Sequence, residues 1–413
     1  MTLPLRKNLG AALLISGTSI GGAMLSIPLE TANLSLAHTF LVLIAVWFMA
    51  WISASFLLEA NLWQRKNADF NSLAAHYLGF SGKIITKLFY LALLYALIGA
   101  YLLGLLPWWK ALFSALFAQD TPSILSKTPL FPYLASSLIV GLVVVQGTAR
   151  VAKINRWISL LMFSAYVLIL IAAWPKLNFR PLFQTPFQSD SSGFSEFMAA
   201  LNTLPLIVTS FGFSIVIPSL CTYLKFNAKE LKRNLFWGSI LPLICYMSWQ
   251  FTVFSLIPKE QLIEHKGHGI AFLLQDILSQ KWQLFAFHLF ELSAILTSFL
   301  GVTQGLYHFL QDALPKLKYS KYSKIKILSL AFGPAVLIAI IHQNTFSKVL
   351  GFAGLLVAVL LGIIPSLFSL QGLKSNPLAP VLIPGAKLLR ILVILFFTLV
   401  ILVEINPFTL PIK

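Results

Sequence analysis

TSIGGAMLSIP, from Thr18 to Pro28, and TSFGFSIVIPS, from Thr209 to Ser219, are the two phrases on which the fold turns. Each opens Thr-Ser-apolar-Gly in the middle of a long apolar run and reaches Ile-Pro at nearly the same offset. Glycine and hydroxyl residues at that depth let a helix unwind. Unwound main chain inside hydrocarbon is tolerated only where it is buried in protein or lines a cavity. Paired interruptions in corresponding halves of a membrane chain therefore imply a secondary transporter with its binding site at the breaks. Two unrelated tight helix crossings would leave a similar trace, since Gly and Ser also allow close packing in membranes. The shared polarity, position and Ile-Pro favour the paired reading.

Apolar runs continue outward from these phrases to both ends. The 413 residues are 58% hydrophobic and 10% charged, with mean hydropathy +0.84, which leaves too little polar surface for a soluble domain. Runs near 9–32, 36–59, 84–106, 130–147, 155–174, 195–222, 234–257, 284–310, 327–342, 346–370 and 387–404 suit a hydrocarbon core of about 30 Å. They predict an all-α integral membrane protein of about 11 transmembrane helices, spans 1 to 11. The first run is too long for a removable signal and is expected to be retained. The whole chain, 1–413, is expected to form one transmembrane transporter domain. Its first repeat covers about 8–175, its second about 195–370, and an extra helix about 387–404. Five spans per half force the halves into opposite orientation, and interrupted spans 1 and 6 open them.

A net charge of +17 raises nucleic acid as a partner, but the positions of the charges explain it otherwise. Most of the 30 Lys and Arg fall at the ends expected inside the cell when the N-terminus is cytoplasmic. The clusters are Arg65/Lys66, Arg150/Lys153/Arg156, Lys225/Lys229/Lys232/Arg233 and the run Lys316 to Lys326. The expectation is a multi-pass protein of a bacterial cytoplasmic membrane with its C-terminus outside, partnered by lipid and an amino acid, with no nucleic acid and no obligate protein partner. Cys221 and Cys245 lie in or beside apolar runs and suggest packing rather than a disulfide framework. Residues 67–80 read as a short amphipathic segment on the cytoplasmic face. Residues 259–281 read as an outer loop with a helical turn, either a lid or an ordinary surface loop.

The breaks carry the chemistry. After Gly17–Gly22 a half-helix begins near Ala23, and its free N–H groups and positive dipole end suit a carboxylate. Before Gly212 the other half-helix ends, leaving carbonyls that can accept from an ammonium group. Together the ends suit a zwitterion, which favours an amino acid over sugars or ions. Thr18, Ser19, Gly21, Gly22 and Ala23, with Thr209, Ser210, Gly212 and Phe213, are the expected substrate contacts.

GTSIGGAMLSIPL (Gly17–Leu29), LPLIVTSFGFSIVIPSL (Leu204–Leu220) and TSFLGVTQGLYHFLQD (Thr297–Asp312) resemble three motifs of the bacterial aromatic amino acid permeases. The resemblance covers most of the chain. It implies a LeuT-type 5+5 inverted repeat with broken helices 1 and 6, aromatic substrates with tyrosine foremost, and import by proton symport. Two departures stand out. Ser214 and Ile215 replace an expected His-Gly pair, and Glu30 stands where a small residue is usual. On the same resemblance, Ala294, Thr297 and Ser298 in span 8 stand at the spacing of a cation site completed by Gly17 and Ile20. Sodium therefore remains an alternative to the proton; no cofactor is expected. Thr and Ser can equally bond back to their own helix.

Glu291 shares a helix face with Ala294 and Ser298. A carboxylate within a membrane is costly and usually functional, so Glu291 is the first candidate for proton coupling, with pairing to His288 as the local alternative. Glu59, at the end of span 2, is a second coupling candidate or an interfacial anchor; Glu404 reads as interfacial. Tyr95 and Tyr101 of span 3, Phe211, Phe213 and Val302 supply apolar and aromatic walls for a side chain. Competing classes find less support. Gly17-Thr18-Ser19-Ile20-Gly21 matches G-x-S-x-G but lacks the strand-turn-helix context of a hydrolase. Glu264, His265 and His268 do not make a convincing metal set. A passive channel gives no reason for two broken helices.

Overall fold

The computed structural model describes residues 5–64, 70–117, 129–178, 193–265, 270–278, 280–314, 322–342, 346–375, 381–383 and 386–406. Arg65, Lys66, residues 67–69, His268 and the 315–321 part of the basic run lie outside them. Every regular element within them is helical. In chain order these are α1 (Leu5–Ser19), α2 (Ala23–Glu30), α3 (Leu36–Gln64), α4 (Phe70–Phe117), α5 (Leu130–Val144), α6 (Thr148–Ala173) and α7 (Gly193–Ser210). A 3-10 turn, Gly212–Val216, joins α7 to α8 (Ile217–Tyr223). There follow α9 (Ala228–Leu256), α10 (Lys259–Glu264), α11 (Ile270–Ile277), α12 (Lys281–Ala313) and α13 (Ser323–Ile341). A π-helical stretch, Ala358–Ile363, joins α14 (Phe346–Val357) to α15 (Ile364–Ser375), and α16 (Ala386–Ile405) closes the described chain.

Among the described residues, nine helical spans are long and apolar enough to cross a membrane singly, and the bent pair α1–α2 makes a tenth. The helix α5, at 15 residues, falls short of that length and is the remaining expected span. This is a multi-pass helical membrane protein. Its surface fits that reading: Leu134, Leu138 and Leu142 recur every fourth residue on α5 and are 53%, 62% and 53% exposed, one apolar stripe with no polar cover. In lipid such exposure costs little, and helix association rests on close packing and hydrogen bonds.

The chain divides into two compact units. The first comprises Met1–Tyr90, Lys176–Glu264 and Gly351–Lys413, and the second Leu91–Pro175 and His265–Leu350. Spans 1 and 2 of the first expected half and spans 6 and 7 of the second thus share one unit, while spans 3, 4, 8 and 9 share the other. Phe56, Phe211, Tyr246, Trp249, Phe368 and Phe397 are fully buried in the first unit; Tyr133, Phe287, Phe290 and Phe299 are fully buried in the second.

Local chemistry sets the interruptions. Gly79 has φ 71° and ψ −163° inside α4, a conformation costly for any residue with a Cβ. It separates the amphipathic 70–78 segment from the membrane-crossing remainder. That segment buries Leu73 and Ala74 and ties to α3 through the Tyr77 hydroxyl, which donates to the Ala60 carbonyl at 3.1 Å. Lys225 and Phe226 also have positive φ, 52° and 55°, and turn the chain after α8. Asn227 then caps α9, its side chain accepting from the Glu230 N–H at 3.2 Å. The 259–281 stretch holds two short helices rather than one helical turn. α10 buries Leu262, and α11 buries Ile270, Leu273 and Leu274.

Candidate functional site

In span 1 the helical hydrogen-bond ladder stops and restarts. The Ile20 N–H donates to the Ser16 carbonyl at 3.0 Å, and the next bonds run from Met24 to Gly21 at 3.1 Å and from Leu25 to Gly22 at 3.2 Å. Among the described residues, the N–H groups of Gly21, Gly22 and Ala23 find no main-chain acceptor. Two consecutive glycines make this the weakest helical point of the run, and the axis bends there by 52°. The bend aims the start of α2, with its partial positive charge, at a buried interruption: Ile20 through Leu29 are all buried. Among the described residues the Ser19 hydroxyl, in a residue 5% exposed, has no hydrogen-bond partner. A buried, unpartnered hydroxyl beside free N–H groups marks a place that takes a polar ligand.

Span 6 is interrupted differently. α7 ends at Ser210, the Phe211 N–H closes on the Val208 carbonyl at 3.1 Å, and the chain tightens into the 3-10 turn before α8. The winding changes without a sharp bend, so 194–223 still counts as one crossing. Neighbouring glycines allow close approach. A Cβ on Gly354 of α14 would lie 1.9 Å from the Pro205 carbonyl oxygen and 2.9 Å from the Thr209 hydroxyl. The π-helical stretch packs nearby, with Leu361 reaching the position of a Gly212 Cβ at 3.9 Å. Ser53 of α3 pins that stretch with its hydroxyl, which lies within donating distance of the Leu361 and Gly362 carbonyls, at 2.5 and 3.0 Å. Single π-helical turns inside α-helices are frequent at functional sites.

Tyr246 of α9 joins the two breaks. Its hydroxyl lies 2.6 Å from the Ser19 carbonyl and 2.8 Å from the Ser210 carbonyl, the last carbonyl of each half-helix. The ring is fully buried and meets Phe211 edge to face at 5.0 Å. Tyr246 belongs to a stripe on α9 that follows span 1 along its length. Asn234 donates to the Asn8 side chain at 2.7 Å, and Gly238 lets the Ala12 carbonyl approach to 2.9 Å of where a Cβ would stand. One turn past Tyr246, Gln250 donates to the Thr31 hydroxyl at 2.7 Å. α9 is thus a splint across the break. Asn234, Gly238, Tyr246 and Gln250 stand four, eight and four residues apart, a spacing legible in the sequence, yet Tyr246 was not among the expected site residues.

The other expected residues distribute as follows. The Thr18 side chain is exposed and donates to the Ile15 carbonyl at 2.7 Å; Thr209 and Ser210 likewise bond back to Pro205 and Leu206. Phe213 is fully buried in the first unit. Tyr95 and Val302 belong to the second unit. There the Tyr95 hydroxyl donates to the Leu330 carbonyl at 2.9 Å, and Val302 is half-buried. The expected cation ligands divide between the units: Gly17 and Ile20 belong to the first, Ala294, Thr297 and Ser298 to the second. The Thr297 hydroxyl donates to the Ala294 carbonyl at 3.1 Å, the local bonding anticipated as an alternative. Among the described residues no group of three or more His, Cys, Asp and Glu could hold a metal ion.

Glu291 sits 3.7 Å from the His288 ring nitrogen with its side chain 14% exposed, and Trp108 packs edge-on against that ring at 5.2 Å. Glu59 is not an interfacial anchor, because it is fully buried. Its carboxylate accepts from Arg390 of α16, also fully buried, at 2.9 Å, from the Ser369 hydroxyl at 2.7 Å and from the Leu382 N–H at 2.8 Å. Arg390 also donates through Nε to Ser369 at 2.8 Å and lies over the Phe56 ring at 4.6 Å. The partner was missed because Arg390 is an isolated cation inside the last apolar run. Glu404 packs against the Gly351 backbone, where a Cβ would meet its carboxylate oxygens at 2.9 and 3.0 Å.

The profile of the tryptophan/tyrosine permease family matches residues 5–404. Among similar proteins, Tyrosine-specific transport system 1 of Haemophilus influenzae is 29% identical over 401 residues, 96% of each chain. The Tryptophan-specific transport protein of the same organism is 28% identical over 404 residues, 96% of this chain and 95% of the relative. Glutamine transporter 2 of Aliivibrio fischeri is 30% identical over 361 residues, 87% of each chain.

Proposed function

The chain belongs to the tryptophan/tyrosine permease family, and from that premise we propose that it imports an aromatic amino acid, tyrosine foremost, by proton symport with alternating access. The observation that carries the proposal is the pair of interruptions held side by side by Tyr246 in a family of amino acid transporters. One break offers the N–H groups of Gly21, Gly22 and Ala23 to a carboxylate. The other ends in carbonyls suited to an ammonium. Recognition of the zwitterion then needs no charged side chain in the apolar surroundings, where an unpaired one is costly.

The LeuT-type inverted repeat, a cytoplasmic N-terminus, an outer C-terminus and a bacterial cytoplasmic-membrane location belong to the same proposal. The pairing of spans 1 and 2 with 6 and 7 in one unit, and of 3 and 4 with 8 and 9 in the other, supports the repeat. For coupling, the proposal assigns the proton to Glu291. Its neighbour is the His288 ring at 3.7 Å, whereas the Glu59 carboxylate is occupied by the Arg390 guanidinium, a hydroxyl and a main-chain N–H. Similarity to a glutamine transporter supports a second reading, a polar aliphatic substrate on the same scaffold. Uptake of labelled tyrosine into proteoliposomes, with proton and sodium gradients imposed separately, tests both. Proton-driven accumulation blocked by unlabelled tryptophan but not glutamine is the expected result; sodium dependence or glutamine competition overturns the corresponding part.

A further inference from the structure

The Tyr246 phenol has one proton and two carbonyl oxygens within hydrogen-bonding distance, Ser19 at 2.6 Å and Ser210 at 2.8 Å. A hydroxyl donates one hydrogen bond at a time, so one of the two carbonyls is always without this donor. Both sit at the last residue of a half-helix, where end carbonyls lack intrahelical partners. No solvent reaches the phenol, which is fully buried. The Ser19 hydroxyl beside them is buried as well and has no partner among the described residues. The carbonyl left without that proton takes one further donor. On an amino acid the primary ammonium supplies it, with three N–H donors and a positive charge at one point, whereas a carboxylate or an aromatic ring supplies none.

We infer that Tyr246 is the positioning residue for the substrate's ammonium group: its hydroxyl donates to one of the two neighbouring carbonyls, Ser19 or Ser210, and the carbonyl its proton leaves free accepts an ammonium N–H. The inference rests on the amino acid transport reading and deepens it. Tyr246 acts by prearranging acceptors, so its loss weakens recognition of the amine in particular rather than of the ligand as a whole.

The test compares L-tyrosine with 3-(4-hydroxyphenyl)propionate, the same molecule without its amine, as inhibitors of labelled tyrosine uptake. Wild type, Tyr246→Phe and Gln250→Leu are assayed in proteoliposomes. Tyr246→Phe keeps the ring against Phe211 and removes only the hydroxyl. Gln250→Leu removes a different hydrogen bond from the same face of α9. The expected result is that Tyr246→Phe lowers the preference for the amine-bearing ligand about tenfold, equivalent to about 1.4 kcal/mol, while Gln250→Leu leaves the preference unchanged. A merely structural role for Tyr246 would lower the number of active transporters and leave the ratio alone. An unchanged or increased ratio in Tyr246→Phe, or an equal fall in both variants, overturns the assignment. Where Tyr246→Phe is too unstable to transport, ligand protection against thermal unfolding of the solubilised variant gives the same ratio. If wild-type protein takes up no amino acid, the transport reading itself falls; if it takes up tyrosine and the ratio stays put, only the role of Tyr246 falls.

Discussion

Replacing Arg390 by methionine tests the most heavily invested contact in the first unit. In the folded protein Arg390 and Glu59 are both fully buried, joined at 2.9 Å, with Ser369 bonded to each. Arg390→Met strands the Glu59 carboxylate with the Ser369 hydroxyl and the Leu382 N–H as its remaining close donors. It also removes the guanidinium from the Phe56 ring. Breaking a buried pair by deleting one partner costs about 3–5 kcal/mol, because the other charge remains desolvated. The double variant Glu59→Met/Arg390→Met removes both charges and fills similar volume, and such replacements are often neutral or stabilising. The double variant should therefore be more stable than Arg390→Met by about 2 kcal/mol or more, a strongly non-additive cycle. Cys221 and Cys245 are buried thiols outside any disulfide, so a thiol-reactive fluorophore reports unfolding directly in detergent. Arg390→Met should lower the unfolding temperature by about 5 °C or more, and the second substitution should recover most of the loss. A single variant that melts with wild type, or a double variant that melts below the single, would refute the claim that this ion pair holds α16 to α3.

Gly354→Ala should abolish correctly folded protein, since its Cβ would stand 1.9 Å from the Pro205 carbonyl oxygen and main chain cannot yield that far; a normal yield of monodisperse protein would contradict this packing. Glu291→Gln should abolish proton-driven accumulation while sparing exchange of internal for external substrate, read as counterflow; accumulation with an unaltered pH profile removes Glu291 from coupling. Gly79→Ala meets no neighbour but must adopt φ 71° with ψ −163°, a region essentially confined to glycine, so a destabilisation of about 1–3 kcal/mol is expected, seen as a lower unfolding temperature with transport retained.

Much of the fold was legible because lipid imposes a simple rule. Main chain in hydrocarbon must be helical unless protein covers it, so run length located the spans, and the Thr-Ser-apolar-Gly phrases located the breaks near Gly21–Gly22 and Gly212. The glycine pair in span 1 produces a bend of 52°, while the single glycine in span 6 produces a change of winding instead. That difference was not visible in two nearly identical phrases. It depends on what packs alongside, including Gly354 against Pro205 and the π-helical stretch held by Ser53.

Charged and phenolic side chains were the least legible. Glu59 at the polar end of an apolar run looks interfacial until a cation 331 residues away in sequence is found beside it. Tyr246 is one of 11 tyrosines, and nothing in its neighbours says that two chain breaks end at its hydroxyl. The sequence alone determined that this is a multi-pass helical membrane protein of the permease type with two interrupted helices, because hydrophobic length and glycine placement act locally. Only the tertiary structure decided which polar groups meet at the interruptions and which carboxylate is already neutralised. Those are pairings between residues far apart in the chain, made where desolvation leaves a buried charge or donor no alternative to a partner.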